Sequence, residues 1–254
     1  MKKVLLSVAG YDPSGGAGVL LDLRVFARMG FHGTAVLTAL TTQNTRLVKD
    51  VYALPAGLVR EQFRILAGDL SIAGLKIGMA GSRENLKAIG SILAAAKGVP
   101  KVVDPVIRSS SGARLLEGTA ISELLGAIRR RATVLTPNLD EAGLLAGAPV
   151  RDIAGMKDAA EAIYDVCRVP CLVTGGHLEK EAVNLLFDGR RVSLFGKPKI
   201  DKDVHGTGCF FSACLLAYLA RGRRLADACR LATELTYRAI RSAACVGRGR
   251  PLMI

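Results

Sequence analysis

The sequence predicts an α/β protein, with one mostly parallel β-sheet covered by helices on both faces. Apolar runs of strand length, such as "KVLLSVAG" and "PCLVTGGH", alternate with segments whose apolar residues recur at helical spacing. The strand runs are continuously apolar, which suits strands buried on both faces, as in a parallel sheet. No internal repeat and no linker-like change of composition interrupts the 254 residues, so a single domain over 1–254 is expected.

The elements follow in order. "KVLLSVAG" is closed by the turn-forming "YDPSGGAG". The next helix carries Val19, Leu20, Leu23, Phe26 and Ala27 at helical spacing, with Asp22, Arg24 and Arg28 elsewhere on its circumference. "GTAVLTALTTQ", rich in Thr and Val, reads as a strand. "PAGLVREQFRILAGDL" reads as helix, "LKIGMAG" as strand, "RENLKAIGSILAAAKG" as helix and "KVVDPVI" as strand. After a Ser- and Gly-rich loop come a helix over 117–131, the strand "TVLTP" and the helices "LDEAGLLAG" and "MKDAAEAIYDVC". "PCLVTGGH" is a short buried strand, and "AVNLLFDGRRVSLFG" a hairpin turning at Asp188-Gly189. Two long helices complete the pattern, one entered through "DVHGTGCFFSACLLAYLARG" and one beginning near Ala226.

Composition narrows the function classes. Half the residues are hydrophobic and none is Trp, so the core is sizeable and aliphatic. The net charge of +13, from 35 Lys and Arg against 22 Asp and Glu, suits anionic partners such as nucleotides and phosphorylated metabolites. Arg129, Arg130 and Arg131, and Arg221, Arg223 and Arg224, form small basic clusters without the interleaved aromatics of single-strand binders. They read as solvated helix ends and argue against nucleic acid as a partner. Six cysteines with no Cys-x-x-Cys pair, and only three histidines, argue against a structural zinc site. "MKKVLLSVAG" mimics a leader, but Asp12 interrupts it and no small-residue cleavage site follows. The longest strongly apolar run, 209–220, falls short of the ~20 residues that cross a bilayer. A cytoplasmic protein with reduced thiols, not membrane-bound, is expected.

In open sheets, ligands sit beyond the carboxyl ends of the strands. Here those ends hold "GYDPSGGAG", "TTQN", "GMAG", "DPVIRSSSG", "TPNLDE" and "TGGH". Neither G-x-x-x-x-G-K-[ST] nor a complete G-x-G-x-x-G occurs. "HGTGC" offers a related device: Gly206 and Gly208 permit a tight turn, and the N–H groups through Cys209 face outward at the positive end of a helix. Such a turn binds phosphate and stabilises charge on a transferred phosphoryl group. The same field favours thiolate, so a lowered pKa is expected for Cys209. A thiolate there can take a proton from a hydroxyl attacking ATP. Alternatively Cys209 is a small buried residue at a helix start, and the motif alone leaves both readings open.

Taken in order, "AGYDPSGGAGVLLDL", "TALTTQNT", "KIGMAGS", "VVDPVIRSSSG", "LTPNLDEA", "TGGH" and "HGTGCFFSA" resemble the hydroxymethylpyrimidine/phosphomethylpyrimidine kinases of thiamine biosynthesis. The resemblance spans roughly residues 4–245 and implies a ribokinase-like three-layer α/β/α sandwich. It also implies phosphorylation of 4-amino-5-hydroxymethyl-2-methylpyrimidine with ATP and Mg2+, in many members a second phosphorylation, and commonly a homodimer. Asp22 and Gln43 match the residues that read the pyrimidine, and Gly10, Met79 and Val106 match its walls. Asn138 and Glu141 match the N-x-x-E element, whose acid acts on magnesium usually through water, and Asp104 matches a second acid near metal and phosphates. Gly206, Thr207 and Gly208 match the phosphate-holding turn and Cys209 the base.

Bland readings stand beside each role. Asp22 suits a first helical turn, Gln43 a loop, Met79 core filler, and either acid a cap or strand end. His205 precedes the turn and orders it, without a catalytic assignment. Thr174 stands where much of the family has a phosphate-holding lysine, which puts the second phosphorylation in doubt. Tyr11 replaces a small hydroxyl residue, and "VGRGRPLMI", with Arg248, only partly resembles the family's glycine-rich ending. The rival enzyme reading is a pyridoxal or pyridoxine kinase, and the non-enzyme one a pyrimidine-binding regulator.

Overall fold

A computed structural model describes residues 2–107, 120–176, 178 and 181–253. The first half runs β1 (Val4–Tyr11), α1 (Gly18–Arg28), β2 (His32–Gln43), β3 (Val48–Ala53), α2 (Ala56–Asp69), β4 (Ile72–Ile77), α3 (Arg83–Ala95) and β5 (Lys101–Val103). The second runs α4 (Ile121–Ile128), β6 (Val134–Leu135), α5 (Leu139–Ala146), α6 (Ile153–Cys167), β7 (Cys171–Gly175), β8 (Glu181–Phe187), β9 (Val192–Pro198), α7 (Thr207–Ala220) and α8 (Leu225–Ser242).

The strands lie in the order β3-β2-β1-β4-β5-β6-β7-β8-β9. From β2 to β7 every neighbouring pair is parallel, while β3, β8 and β9 add antiparallel edges. The continuous apolarity of the strands now has its cause. Leu6 and Val8 of β1 point into a core with α2 to α6, and Leu5 into a second core with α1, α7 and α8. Val103 and Val102 of β5, and Leu135 and Val134 of β6, divide the same way. Both faces are dry, so every position needs an apolar side chain. α7 is apolar around most of its circumference because it is wedged against the sheet, α1 and α8.

The three-layer α/β/α sandwich is as expected, with departures at the edges. β3 was not anticipated: "VKDVYA" carries charges and is half-buried or exposed along its length. Such polarity suits an edge strand, which needs only one paired side. "KVVDPVI" stays strand only to Val103. Asp104 N–H still bonds the Ile77 carbonyl at 2.8 Å, and Pro105 then has no N–H to continue the ladder. The expected helix over 117–131 is described from Ile121 to Ile128, and its start, like the Ser/Gly loop, falls partly or wholly outside the described residues. No described helix is long and apolar enough to cross a membrane.

Candidate active site

The turn into α7 is built from interlocked glycines. Gly206 caps the helix at φ +82°, and a Cβ there would collide with the Gly16 carbonyl oxygen. Left-handed backbone and close approach both demand glycine. Gly206→Ala is therefore expected to lower stability by at least ~1–2 kcal/mol, read as a drop in urea midpoint. The first helical bond runs from Phe210 N–H to the Gly206 carbonyl at 2.9 Å. The N–H groups of Thr207, Gly208 and Cys209 thus have no acceptor within the helix. Gly208 is exposed, and a Cβ on it would lie 3.8 Å from Asp104 Oδ2. One turn on, Ser212 Oγ reaches Asp104 Oδ2 at 3.1 Å and the Gly208 carbonyl at 2.9 Å, tying the acid to the turn.

Cys209 is half-buried at this tip, and the N–H of Gly18, at the start of α1, hydrogen-bonds its sulfur. Its acidity corrects the expectation. Burial pushes the thiol up to about 12, Asp104 and Asp22 push the same way, and Lys76 and the Gly18 N–H only partly oppose them. A helix terminus contributes about 0.3–1 kcal/mol to an anion, up to ~2 when partly buried, and desolvation beside two carboxylates exceeds that. At neutral pH the unliganded protein holds a thiol.

Asp22 also departs from its expected place. It is fully buried under the turn; Lys76 Nζ lies 2.7 and 2.9 Å from its two oxygens, and Ser7 Oγ donates to Oδ2 at 2.6 Å. The carboxylate is spent on a buried ion pair and presents no surface to a pyrimidine. Lys76 was missed, although a lysine inside the apolar run "LKIGMAG" was a visible signal. Its side chain is wholly buried. Burial alone would lower it, but Asp22, Cys209 and Asp104 outweigh that and keep it protonated above its ordinary range.

Beyond β5 and β6 lie two further acids. Asp104 is nearly buried and is raised by burial, with Lys76 opposing. Glu141 is raised to about 8 by burial and then by Asp104. Glu141 Oε2 accepts from Asn138 N–H at 3.0 Å while Asn138 Oδ1 accepts from Glu141 N–H at 2.9 Å, a capping box on α5. Glu141 Oε1 accepts from Ile107 N–H at 3.3 Å. The cap reading of N-x-x-E is therefore realised, and it aims the acid toward Asp104. Among the described residues no group of three or more His, Cys, Asp or Glu forms a metal cage. Two buried carboxyls, each raised by burial, fit a hard divalent cation whose other ligands are phosphate and water. Thr174 lies beside this corner, its N–H bonded to the Pro137 carbonyl at 2.8 Å.

A carboxyl raised in the fold stabilises it only while protonated. The Glu141 contribution is complete below its ordinary 4.5 and is lost as pH rises through about 8. Without nucleotide, thermal stability should fall between pH 5 and 9, and Glu141→Gln should flatten that fall in a pH series of melting curves.

On the β1–β2 side, Gln43 Nε2 lies 3.2 Å from His205 Nε2, which is 2.9 Å from Asp12 Oδ2. Burial acts to raise Asp12, but hydrogen bonds from His205 and Ser14 outweigh it and hold it below its ordinary range. Gly10 abuts Met79, since a Cβ there would strike the Met79 methyl. Met79 and Val106 are half-buried near these strand ends. Sequence spacing gives Asp12 no role and His205 only an ordering one, because their contact joins residues 193 apart.

Comparison with known proteins gives the family and the fold. The chain matches the family described as phosphomethylpyrimidine kinase over residues 12–253. It is 36% identical over 252 residues to a hydroxymethylpyrimidine/phosphomethylpyrimidine kinase of Aquifex aeolicus, covering 98% of this chain and 99% of that relative. A relative of the same name from Rhizobium meliloti is 40% identical over 255 residues, with 98% and 96% covered. The structure of a pyridoxal kinase from Staphylococcus aureus in complex with AMP-PCP superposes with a TM-score of 0.91 at 29% identity, covering 100% of this chain and 93% of that one. The phosphomethylpyrimidine kinase of Clostridium difficile gives 0.81 at 33% identity, covering 94% and 100%. Match length, identity and fold agree: the chain belongs to the phosphomethylpyrimidine kinase family.

Proposed function

We propose that this chain transfers the γ-phosphoryl group of ATP to the hydroxymethyl oxygen of 4-amino-5-hydroxymethyl-2-methylpyrimidine, as a kinase of thiamine biosynthesis. The observation that carries this is the α7 tip, where three N–H groups without helical acceptors, a thiol and a buried acid meet at the strand ends. Gly206, Thr207 and Gly208 hold the migrating phosphoryl oxygens through their backbone. Cys209 orients the attacking hydroxyl, and its minor thiolate form takes that proton as the oxygen attacks phosphorus, becoming the thiol. Gln43 faces the aminopyrimidine edge, whose N–H groups and ring nitrogens an amide can match. Gly10, Met79 and Val106 wall the ring. Asp104 and Glu141 would hold a phosphate-bound magnesium, Glu141 through water, with Asn138 on the phosphate side. When bound, that ion neutralises charge between the phosphates. Catalysis is then positioning and electrostatics.

A second reading, pyridoxal kinase, is favoured by one finding: the Staphylococcus aureus pyridoxal kinase in complex with AMP-PCP and pyridoxal has a TM-score of 0.90 with this chain at 29% identity. Mass analysis of products from ATP with each substrate separates the two. The expected result is one or two phosphates on the pyrimidine at a higher kcat/KM than on pyridoxal; the reverse ranking would overturn the primary reading. Binding of the pyrimidine without any ADP release would point instead to a regulator. Thr174→Lys is expected to raise use of the monophosphate relative to the alcohol, and an unchanged ratio would detach Thr174 from the second step. A cytoplasmic homodimer belongs to the same reading. Exposed Leu40, Leu47 and Tyr52 on the β2–β3 edge supply apolar surface for it, and sedimentation tests it.

A further inference from the structure

The segment after α8 folds back onto the β1–β2 side of the site. Ala244 and Leu252 exchange backbone hydrogen bonds at 3.0 and 2.9 Å, closing a short loop. Within it the Pro251 carbonyl accepts from His205 N–H at 3.0 Å, and Leu252 bridges His205 in parallel. On the other side Arg250 N–H donates to the Thr45 carbonyl at 3.0 Å, and Gly249 N–H to Thr45 Oγ1 at 3.2 Å. Thr45 lies in the turn between β2 and β3, two residues past Gln43. Leu252 is only 2% exposed and packs over Gly16, where a Cβ would strike both Leu252 and the His205 ring. A Cβ on Gly249 would overlap the Thr45 carbonyl, so only glycine lets the two backbones meet.

One short segment therefore joins the glycine loop after β1, the turn after β2 and the entrance to α7. Most of its ties are backbone to backbone, so they fix positions rather than supply chemistry. Residues 245–248 are exposed, so the hold comes from 249–252. Its backbone hydrogen bonds run to Ala244, His205 and Thr45.

We propose that residues 249–252 are a strap that positions the pyrimidine side of the site, holding the His205 backbone and the Thr45 turn so that His205 and Gln43 meet at the substrate ring. The proposal rests on the pyrimidine reading above. Gly249→Ala should push the strap off the turn; Thr45→Ala, which removes only the Oγ1 acceptor, should act in the same direction more mildly and covers the case in which Gly249→Ala does not fold. In steady-state assays the pyrimidine KM should rise about fivefold or more, with the ATP KM nearly unchanged, because the lost interaction serves one substrate. In ligand-free protein, hydrogen exchange at the His205 and Arg250 amides should accelerate while interior amides of β1 and α7 keep their protection. Both Michaelis constants rising together, or faster exchange with an unmoved pyrimidine KM, would overturn the positioning role. Wild-type protein that fails to phosphorylate the pyrimidine would overturn the function reading instead; the strap then stands on accelerated exchange at His205 and falls without it.

Discussion

Cys209→Ala is expected to lower kcat by about a hundredfold or more while leaving both Michaelis constants within a few-fold, the range and pattern for loss of a proton acceptor used in the transition state. The thiol is pushed up to about 12, so only a small thiolate fraction exists near neutral pH. The wild-type rate should therefore climb with pH across the neutral range, and the alanine variant should lose that climb. A variant with near-normal kcat would leave the backbone N–H groups of the α7 tip as the whole of the catalytic device. A variant with raised KM and preserved kcat would make Cys209 a wall of the pocket.

Lys76→Met should be among the most damaging substitutions for stability. It leaves Asp22, fully buried and among the described residues bonded otherwise only to Ser7, without its counter-charge. Breaking a buried pair from one side costs about 3–5 kcal/mol, whereas replacing both partners by neutral groups of similar volume is often near neutral. The double variant Lys76→Met with Asp22→Asn should recover most of the urea midpoint at unchanged slope. A loss under ~1 kcal/mol for the single variant would mean that the pair is solvated in solution. If the double variant regains its fold but not its turnover, the pair also shapes the field at the thiol, since Lys76 and Asp22 act on Cys209 with opposite signs.

The layered sheet was legible because burial on both faces forces apolar residues at successive strand positions, as with Leu5 and Leu6, and that is a local pattern. The junction at Cys209 was legible for the same reason: two glycines and a long apolar helix are neighbours in sequence. β3 was not, because an exposed edge strand carries no such constraint. The acidity of Cys209 and the fate of Asp22 were hidden for a different reason. Both depend on charges brought in by β4 and the end of β5, and no spacing rule states which charges share one dry space. The dipole argument was sound in sign and too small in magnitude. For Glu141 the cap and the candidate metal role proved compatible, since the capping box fixes the carboxylate that a cation would use.

The carbonyl of Gly16 rests against Gly206, and Asp12 meets His205, so two stretches far apart along the chain form one surface. During synthesis, a ribosome would have to release the chain from Asp12 through Gly206 before the phosphate cradle could exist. Nascent chains with several strands already paired would still be inert, and activity would arrive late and as a unit.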